Sequence, residues 1–331
     1  MEKIRAAITA VGHYVPETVM TNADMEKIVE TNDEWIKTRT GISERRILTN
    51  GEPMSFMAVQ AINMLLERRG IKADELDLIL VGTVTPDMLF PSTACVIQEK
   101  IGAKNAWGFD VLAACSGFIF TLVAGMQFIE SGMYKKVLIV GADKMSSITN
   151  FKDRNTCVLF GDGAGCVLLE SSADPAYGIM DTNMHVDGAG GKYLNMLGGG
   201  SLNPSSHETV EKDWHYVYQE GKHVFKDAVK GMADVSHEIM VKNGLNADDI
   251  SYLVPHQANM RILTACADRM GLPHDKVMVN IHKYGNTTAA TIPLCLSEYW
   301  AEGKIKKGDN LVLASFGAGY TWGSILVKWA Y

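Results

Sequence analysis

Proline is scarce in this chain, 9 residues of 331, and no Pro- or Ser-rich stretch divides it, so nothing reads as a flexible linker. Charge is thin too. Asp, Glu, Lys and Arg make up 21%, a little under the usual ~25%. Basic residues fall short of acidic ones, 31 against 38 for a net charge of −7, where a general nucleic-acid binder would show the opposite balance. The six cysteines, Cys95, Cys115, Cys157, Cys166, Cys266 and Cys295, form no C-x-x-C and meet no partner at zinc-finger spacing. That leaves neither a disulfide framework nor a zinc site. The first residues, Met1-Glu2-Lys3-Ile4-Arg5, show no hydrophobic leader and no transit-peptide pattern. These absences lead us to expect reduced thiols in a cytoplasmic protein. Walker A, zinc-protease and nucleophile-elbow signatures are missing as well.

What is present is apolar. Hydrophobic residues make up 47%, which excludes a disordered chain. The length suggests about two domains and suffices to bury around 75% of the unfolded surface. From Val111 to Ile129 no residue is charged, near the length of a membrane span. Ser116, Gly117, Thr121, Gly125 and Gln127 interrupt the run, and a helix covered on all sides inside a protein is the better reading.

Runs rich in Val, Ile and Leu at Leu76–Thr83, Val137–Gly141, Val158–Glu170, Ile250–Pro255, Val277–Ile281 and Leu311–Phe316 read as strands. Thr93–Ile101, Ser116–Glu130, Gly221–Asn243, Asn259–Met270 and Thr287–Glu302 read as helices. This alternation predicts an α/β fold with largely parallel sheets. A long repeat runs through it: Gly102 matches Gly271, Cys115 matches Asn286 and Gly132 matches Gly303, at offsets of 169, 171 and 171. Such a period is too long for a solenoid and predicts two similar halves, 1–175 and 176–331. The helices beginning at Cys115 and Asn286 are both expected to be uncharged and to lie between sheets. Met184–Tyr218, dense in glycine and without periodicity, reads as a lid, a binding loop or a disordered segment.

Cys115 stands between a strand and a helix, in Phe109-Asp110-Val111-Leu112-Ala113-Ala114-Cys115-Ser116-Gly117-Phe118. The positive end of a helix favours a thiolate and lowers its pKa from about 8.5. By itself the residue reads either as such a nucleophile or as an inert core thiol. His256, in Pro255-His256-Gln257-Ala258-Asn259, ends a strand, and Asn286 sits at the repeat position matched to Cys115. A Cys/His/Asn set is one reading; a structural histidine and a helix-capping asparagine are the other. Gly317-Ala318-Gly319-Tyr320-Thr321-Trp322-Gly323 reads as a turn whose N–H groups can meet a developing oxyanion. Gly161-Asp162-Gly163-Ala164-Gly165 lacks the third glycine of a dinucleotide loop and reads as a structural turn.

At these residues the chain resembles the β-ketoacyl-acyl carrier protein synthase III family of condensing enzymes, within the thiolase superfamily. The likeness runs nearly end to end. It covers Thr21-Asn22-Ala23-Asp24, Asp33-Glu34-Trp35-Ile36-Lys37-Thr38-Arg39-Thr40-Gly41-Ile42, the Cys115 segment and Phe160–Gly165. It continues through Pro255–Asn259 and Gly285-Asn286-Thr287-Thr288 to Thr321-Trp322-Gly323. The resemblance implies the thiolase fold, a duplicated five-layer αβαβα sandwich with two central helices. It implies Cys115, His256 and Asn286 as the catalytic set, with the N–H groups of Cys115 and Gly319 as oxyanion hole. The implied reaction loads a short acyl group, acetyl first among candidates, from acyl-CoA onto Cys115. Malonyl-acyl carrier protein then loses CO2 and attacks it, initiating fatty acid synthesis. Acyl-CoA is a substrate there, and neither a cofactor nor a metal is implied.

By the same resemblance Trp35 and Arg154 hold the CoA adenine, Arg39 lies near its phosphates and Asn259 meets the pantetheine arm. Lys222, Lys226 and Lys230 recur every four residues on one helix face, with Arg261 and Arg269 as extensions, and Lys222, Lys226 and Arg261 are expected to dock the acidic carrier; a solvated lysine stripe is the plain alternative. Phe90 matches a position that reaches across a homodimer to shape the acyl pocket. Nucleic acid and membrane are not among the expected partners. Ala318, in place of a common glycine, and Asp268, in place of a common basic residue, depart from the family pattern. Other thiolase-fold proteins stand as alternatives: a 3-hydroxy-3-methylglutaryl-CoA synthase, an alkylquinolone- or polyketide-priming synthase, and a non-catalytic partner subunit. The first uses a glutamate base, which the Asn286 context opposes, and the last usually lacks the nucleophile. The primer's chain length and branching are open, since a pocket gives only ~1–3 kcal/mol per methylene.

Overall fold

Alternate side chains of the strand Leu78–Gly82 enter two different cores, which is why the run is apolar throughout. In the computed structural model, which describes residues 4–331, Leu78 and Leu80 face a central core while Ile79 and Val81 face an outer one. The strand belongs to a five-stranded sheet with the order Ala6–Tyr14, Asp162–Ser171, Lys136–Lys144, Leu78–Gly82, Trp107–Val111. A second sheet repeats this order with Gly178–Val186, Thr321–Lys328, Asn310–Gly317 and Tyr252–Pro255. Its fifth place holds only a single bridge from Leu253 to Val277. The predicted strand Val277–Ile281 is therefore not formed. Gln257 Oε1 accepts the N–H groups of Asn280 and Ile281 at 3.1 and 3.2 Å, and a short helix, Ile281–Tyr284, starts there instead.

The sheets are mixed rather than largely parallel. Lys136–Lys144 pairs antiparallel with Asp162–Ser171, as Asn310–Gly317 does with Thr321–Lys328. The second pair is a hairpin closed by Ala318–Tyr320, and so short a link permits no other sense. The run Gly161–Gly165 is not a turn. Asp162 opens a ten-residue strand, and its glycines admit the second central helix, whose Leu294 N would lie 2.8 Å from a Cβ at Gly165.

Five layers result, the architecture of the thiolase fold. Met54–Arg69 and Thr93–Ile101 cover the outer face of the first sheet. Gly221–Lys242 and Met260–Met270 cover that of the second. Gly117–Glu130 and Thr291–Ala301 lie between the sheets, where Phe118, Leu122, Ile292 and Leu296 join strands of both in one core. Among the described residues no helix is long and apolar enough to cross a membrane. The second central helix departs from expectation by carrying Glu298. Tyr284 and Asn280 donate hydrogen bonds to that carboxylate at 2.6 and 2.9 Å, so the charge is satisfied where it enters the core's edge. Part of the Met184–Tyr218 segment is regular as well: Met184–Val186 end a sheet strand, and Leu194–Asn195 pairs with Tyr218–Gln219.

The repeat has a different register from the one the glycines suggest. A tight turn precedes each central helix, Ala114–Ser116 and Thr288–Ala290, and its first residue has positive φ, +48° at Ala114 and +49° at Thr288. The offset is 288 − 114 = 174, so Ala289, not Asn286, corresponds to Cys115. The second helix is 11 residues long against 14, which returns the offset to 171 at Gly132 and Gly303.

Each half's inner strand receives the other half's turn. Ser315 Oγ donates to Cys115 O at 2.8 Å, and a Cβ on Gly317 would lie 2.8 Å from Cys115 N and 2.9 Å from Ser116 N. Gly317→Ala is expected to lower stability by about 1–3 kcal/mol through overpacking, read by urea unfolding. Gly188→Ala, with open space around it, is the control expected to leave stability unchanged; equal effects would mean that the turn is not clamped.

Candidate active site

A cavity of about 1060 Å³ opens where the two turns meet, lined by Cys115, His256, Asn286 and Gly319. The four come from three kinds of local structure. Cys115 occupies the middle of the Ala114–Ser116 turn, two residues before the helix Gly117–Glu130. The positive φ of Ala114 is strained for a residue with a Cβ and turns the chain sharply between strand and helix. His256 follows the strand Tyr252–Pro255, and its N–H donates to Ala314 O at 2.8 Å, extending the parallel ladder. The Gln257 side chain pins the next residue to Pro255 O and Met278 O at 2.8 and 3.0 Å. Gly319 belongs to the hairpin turn after Asn310–Gly317.

Burial dominates the electrostatics. Cys115 is half-buried and reached through the cavity, yet protein surrounds it at depth. Desolvation, and then the Asp143 carboxylate, push its thiol up to about 12. The expected lowering by the helix end is thus outweighed. His256, 1% exposed, is pushed by desolvation down to about 3. At neutral pH the resting pair is an uncharged thiol and an uncharged imidazole. His256 Nδ1 lies 2.8 Å from Thr291 Oγ1. Thr291 Oγ1 donates its one proton to Thr288 O at 3.0 Å, so it accepts from Nδ1–H and the resting ring presents a bare Nε2 to the cavity. Asn286 Oδ1 accepts the N–H of Thr288 at 2.9 Å, which leaves its amide nitrogen as the free end.

The remaining predicted residues divide into two groups. Trp35, Arg39, Asn259, Lys222 and Arg261 line the same cavity. Arg154 does not, but its guanidinium sits over the Trp35 ring at 4.9 Å, with Arg39 at 5.3 Å. Two stacked planes lie roughly 3.5–4 Å apart, so an adenine inserted here would displace Arg154. Asn259 caps Met260–Met270, accepts from Arg261 N at 3.0 Å and donates to Arg39 O at 2.8 Å. Lys222, Lys226 and Lys230 are exposed on one helix face, and Arg261 stacks on Phe225 at 4.6 Å. Arg269 is tied to Asp234 at 3.2 Å and Asp268 to His274 at 2.9 Å. Phe90 is 84% exposed and outside the cavity, whereas Leu112, 80% exposed, lines it. Leu194–Met196 and Val217–Tyr218 of the glycine-rich segment, with Gln219 just beyond it, line it too, so that segment forms part of the cavity wall.

Sequence reasoning passed over Asp143. It is fully buried behind the cavity, and the available signal was a lone carboxylate closing the apolar run Val137–Gly141. Its Oδ1 accepts from Thr83 Oγ1 (2.9 Å), Val84 N (2.8 Å), Thr85 N (3.2 Å) and Thr85 Oγ1 (3.0 Å). Its Oδ2 accepts from Thr288 Oγ1 and from Ala289 N at 3.2 Å.

Residues 109–188 match the family described as 3-oxoacyl-[acyl-carrier-protein] synthase III, and residues 240–329 match its C-terminal family. The β-ketoacyl-[acyl-carrier-protein] synthase III of Chlorobaculum tepidum is 58% identical over 98% of this chain and 100% of its own. The structure of 3-oxoacyl-[acyl-carrier-protein] synthase III from Aquifex aeolicus has a TM-score of 0.90 at 43% identity, covering 98% of this chain and 100% of that one. A priming β-ketosynthase of the R1128 polyketide pathway has a TM-score of 0.91 at 33% identity, covering 99% and 98%.

A thiol held near 12 ionises only in strong alkali. Alkylation of Cys115 by iodoacetamide is therefore expected to keep rising from about pH 6 to about pH 10, since the thiolate is the reacting form. A plateau near neutral pH would mean that the helix end prevails over burial.

Proposed function

The chain belongs to the β-ketoacyl-[acyl-carrier-protein] synthase III family, and from that premise we propose how its residues divide the reaction. The enzyme is an acyltransferase of fatty acid biosynthesis. It condenses an acyl group from acyl-CoA with malonyl-acyl carrier protein, with loss of CO2, in the initiating step.

Cys115 is the nucleophile. As its sulphur attacks the acyl-CoA carbonyl, the uncharged His256 accepts the thiol proton and passes it to the departing CoA thiolate. The N–H groups of Cys115 and Gly319 hold the oxyanion of this step; removing one such donor typically costs ~3–4 kcal/mol. With the acyl group on Cys115, malonyl-acyl carrier protein enters. His256 and Asn286 donate hydrogen bonds to its thioester oxygen as the bond to the carboxylate breaks. CO2 leaves, the carbanion forms the new C–C bond with the acyl carbon, and Cys115 sulphur departs as a thiolate that takes up a proton from solvent. The observation that carries this assignment is the convergence of the three side chains from both halves on one cavity.

Trp35, Arg154, Arg39 and Asn259 hold the CoA, Arg154 swinging off the Trp35 ring to admit the adenine. Lys222, Lys226 and Arg261 receive the acidic carrier; none has a carboxylate within 4 Å among the described residues. A homodimer brings the partner's copy of the Phe90 loop to the open side of the cavity at Leu112. The halves divide at 175/176, between the strands Asp162–Ser171 and Gly178–Val186, which join different sheets. The reaction as written needs no cofactor, and six unpaired cysteines suit a reducing cytoplasm. Acetyl-CoA stands first among the short acyl-CoA primers. A priming synthase of a specialised pathway shares the fold, and 58% against 33% identity favours the fatty acid enzyme.

Incubation with acetyl-CoA followed by intact mass measurement is expected to show one added acetyl group, absent from Cys115→Ala. No adduct, or one that survives Cys115→Ala, overturns the assignment.

A further inference from the structure

Asp143 carries more hydrogen bonds than a strand-end carboxylate needs, and no cation lies within 4 Å of it among the described residues. Burying such a charge is costly unless its donors repay desolvation. Burial pushes its carboxyl above the usual carboxylate range, and the three N–H groups and three hydroxyls that surround it work against that shift. Four come from the first half at Thr83–Thr85 and two from the second at Thr288–Ala289. The carboxylate is thus a bolt through the junction of the halves.

The repeat supplies an internal control. At the offset of 174, Asp143 corresponds to Gly317, and the two turns they support have the same φ at their first residue. The nucleophile's turn keeps that geometry against a glycine, so the turn alone does not require a carboxylate. What differs is the load. Thr288 N–H points at Asn286 Oδ1 at 2.9 Å, and an inverted amide would set two donors face to face. Thr288 O also accepts from Thr291 Oγ1 at 3.0 Å, the hydroxyl that contacts His256 Nδ1.

We infer that Asp143 is a positioning residue for decarboxylation, holding Thr288 so that the amide nitrogen of Asn286 faces the malonyl thioester. The inference rests on Asn286 as a donor in that step. Thr288→Val removes the hydroxyl while keeping the backbone links to Asn286 and Thr291, and Thr288→Ser restores the hydroxyl.

The test measures the two half-reactions separately in the full-length enzyme: acetyl-Cys formation by intact mass, and CO2 release from malonyl-acyl carrier protein. Thr288→Val is expected to slow CO2 release ~10–100-fold, the usual size of an outer-shell effect, while acetylation stays within ~3-fold. Thr288→Ser is expected to recover most of the loss, and Asp143→Asn to repeat the Val pattern if it folds. In an Asn286→Ala background, Thr288→Val is expected to add nothing, because it acts through that residue. Equal loss of both half-reactions, no loss, or failure of Ser to rescue overturns the inference. If Asn286→Ala alone leaves CO2 release intact, the assignment of Asn286 fails instead.

Discussion

The site depends on a mutual grip between two turns. Ala114–Ser116 lies against the strand Asn310–Gly317, and Thr288–Ala290 lies against Lys136–Lys144, so each half holds the reactive turn of the other. Neither half could build the cavity alone. The nucleophile's turn needs a bare strand at Gly317, and the donor's turn needs the Asp143 carboxylate. Packing this close penalises a side chain at the glycine, and the carboxylate's donors come from both halves, which makes the junction stiff. A stiff junction is what a reaction with two successive substrates requires, since both must find the same sulphur.

Burial then sets the chemistry. A thiol pushed up to about 12 and an imidazole pushed down to about 3 both rest uncharged. Desolvation and the Asp143 charge together oppose the helix end, whose effect is about 0.3–1 kcal/mol at exposed sites and falls off within a turn. An uncharged histidine serves both stages, first as acceptor and then as donor, the Thr291 hydroxyl accepting from Nδ1 in the first and turning from Thr288 O to donate to Nδ1 in the second.

Much of this was legible in the residues. Thr93–Ile101 forms as read, with its glycine stop at Gly102 in a left-handed C-cap, and the helix read as Ser116–Glu130 starts one residue later. The duplication and the buried central helices were visible because an uncharged run has few other places to go. The register was not. Glycines at helix ends mark where helices stop, and the second helix is three residues shorter, so an offset of 171 hid the true 174 at the turns. The Val277 strand failed because Gln257, a side chain distant in sequence, took the backbone donors. The strands Gly178–Val186 and Thr321–Lys328 escaped notice because polar residues such as Asp181, Asn183 and Ser324 break their apolar pattern. Asp143 was overlooked because its partners lie 58–146 residues away.

Release of CO2 from malonyl-acyl carrier protein by enzyme lacking the nucleophile tests the division of labour most directly. If the two turns carry separate stages, Cys115→Ala retains CO2 release and the double variant with Asn286→Ala loses it. No release from Cys115→Ala, or undiminished release from the double variant, would contradict it.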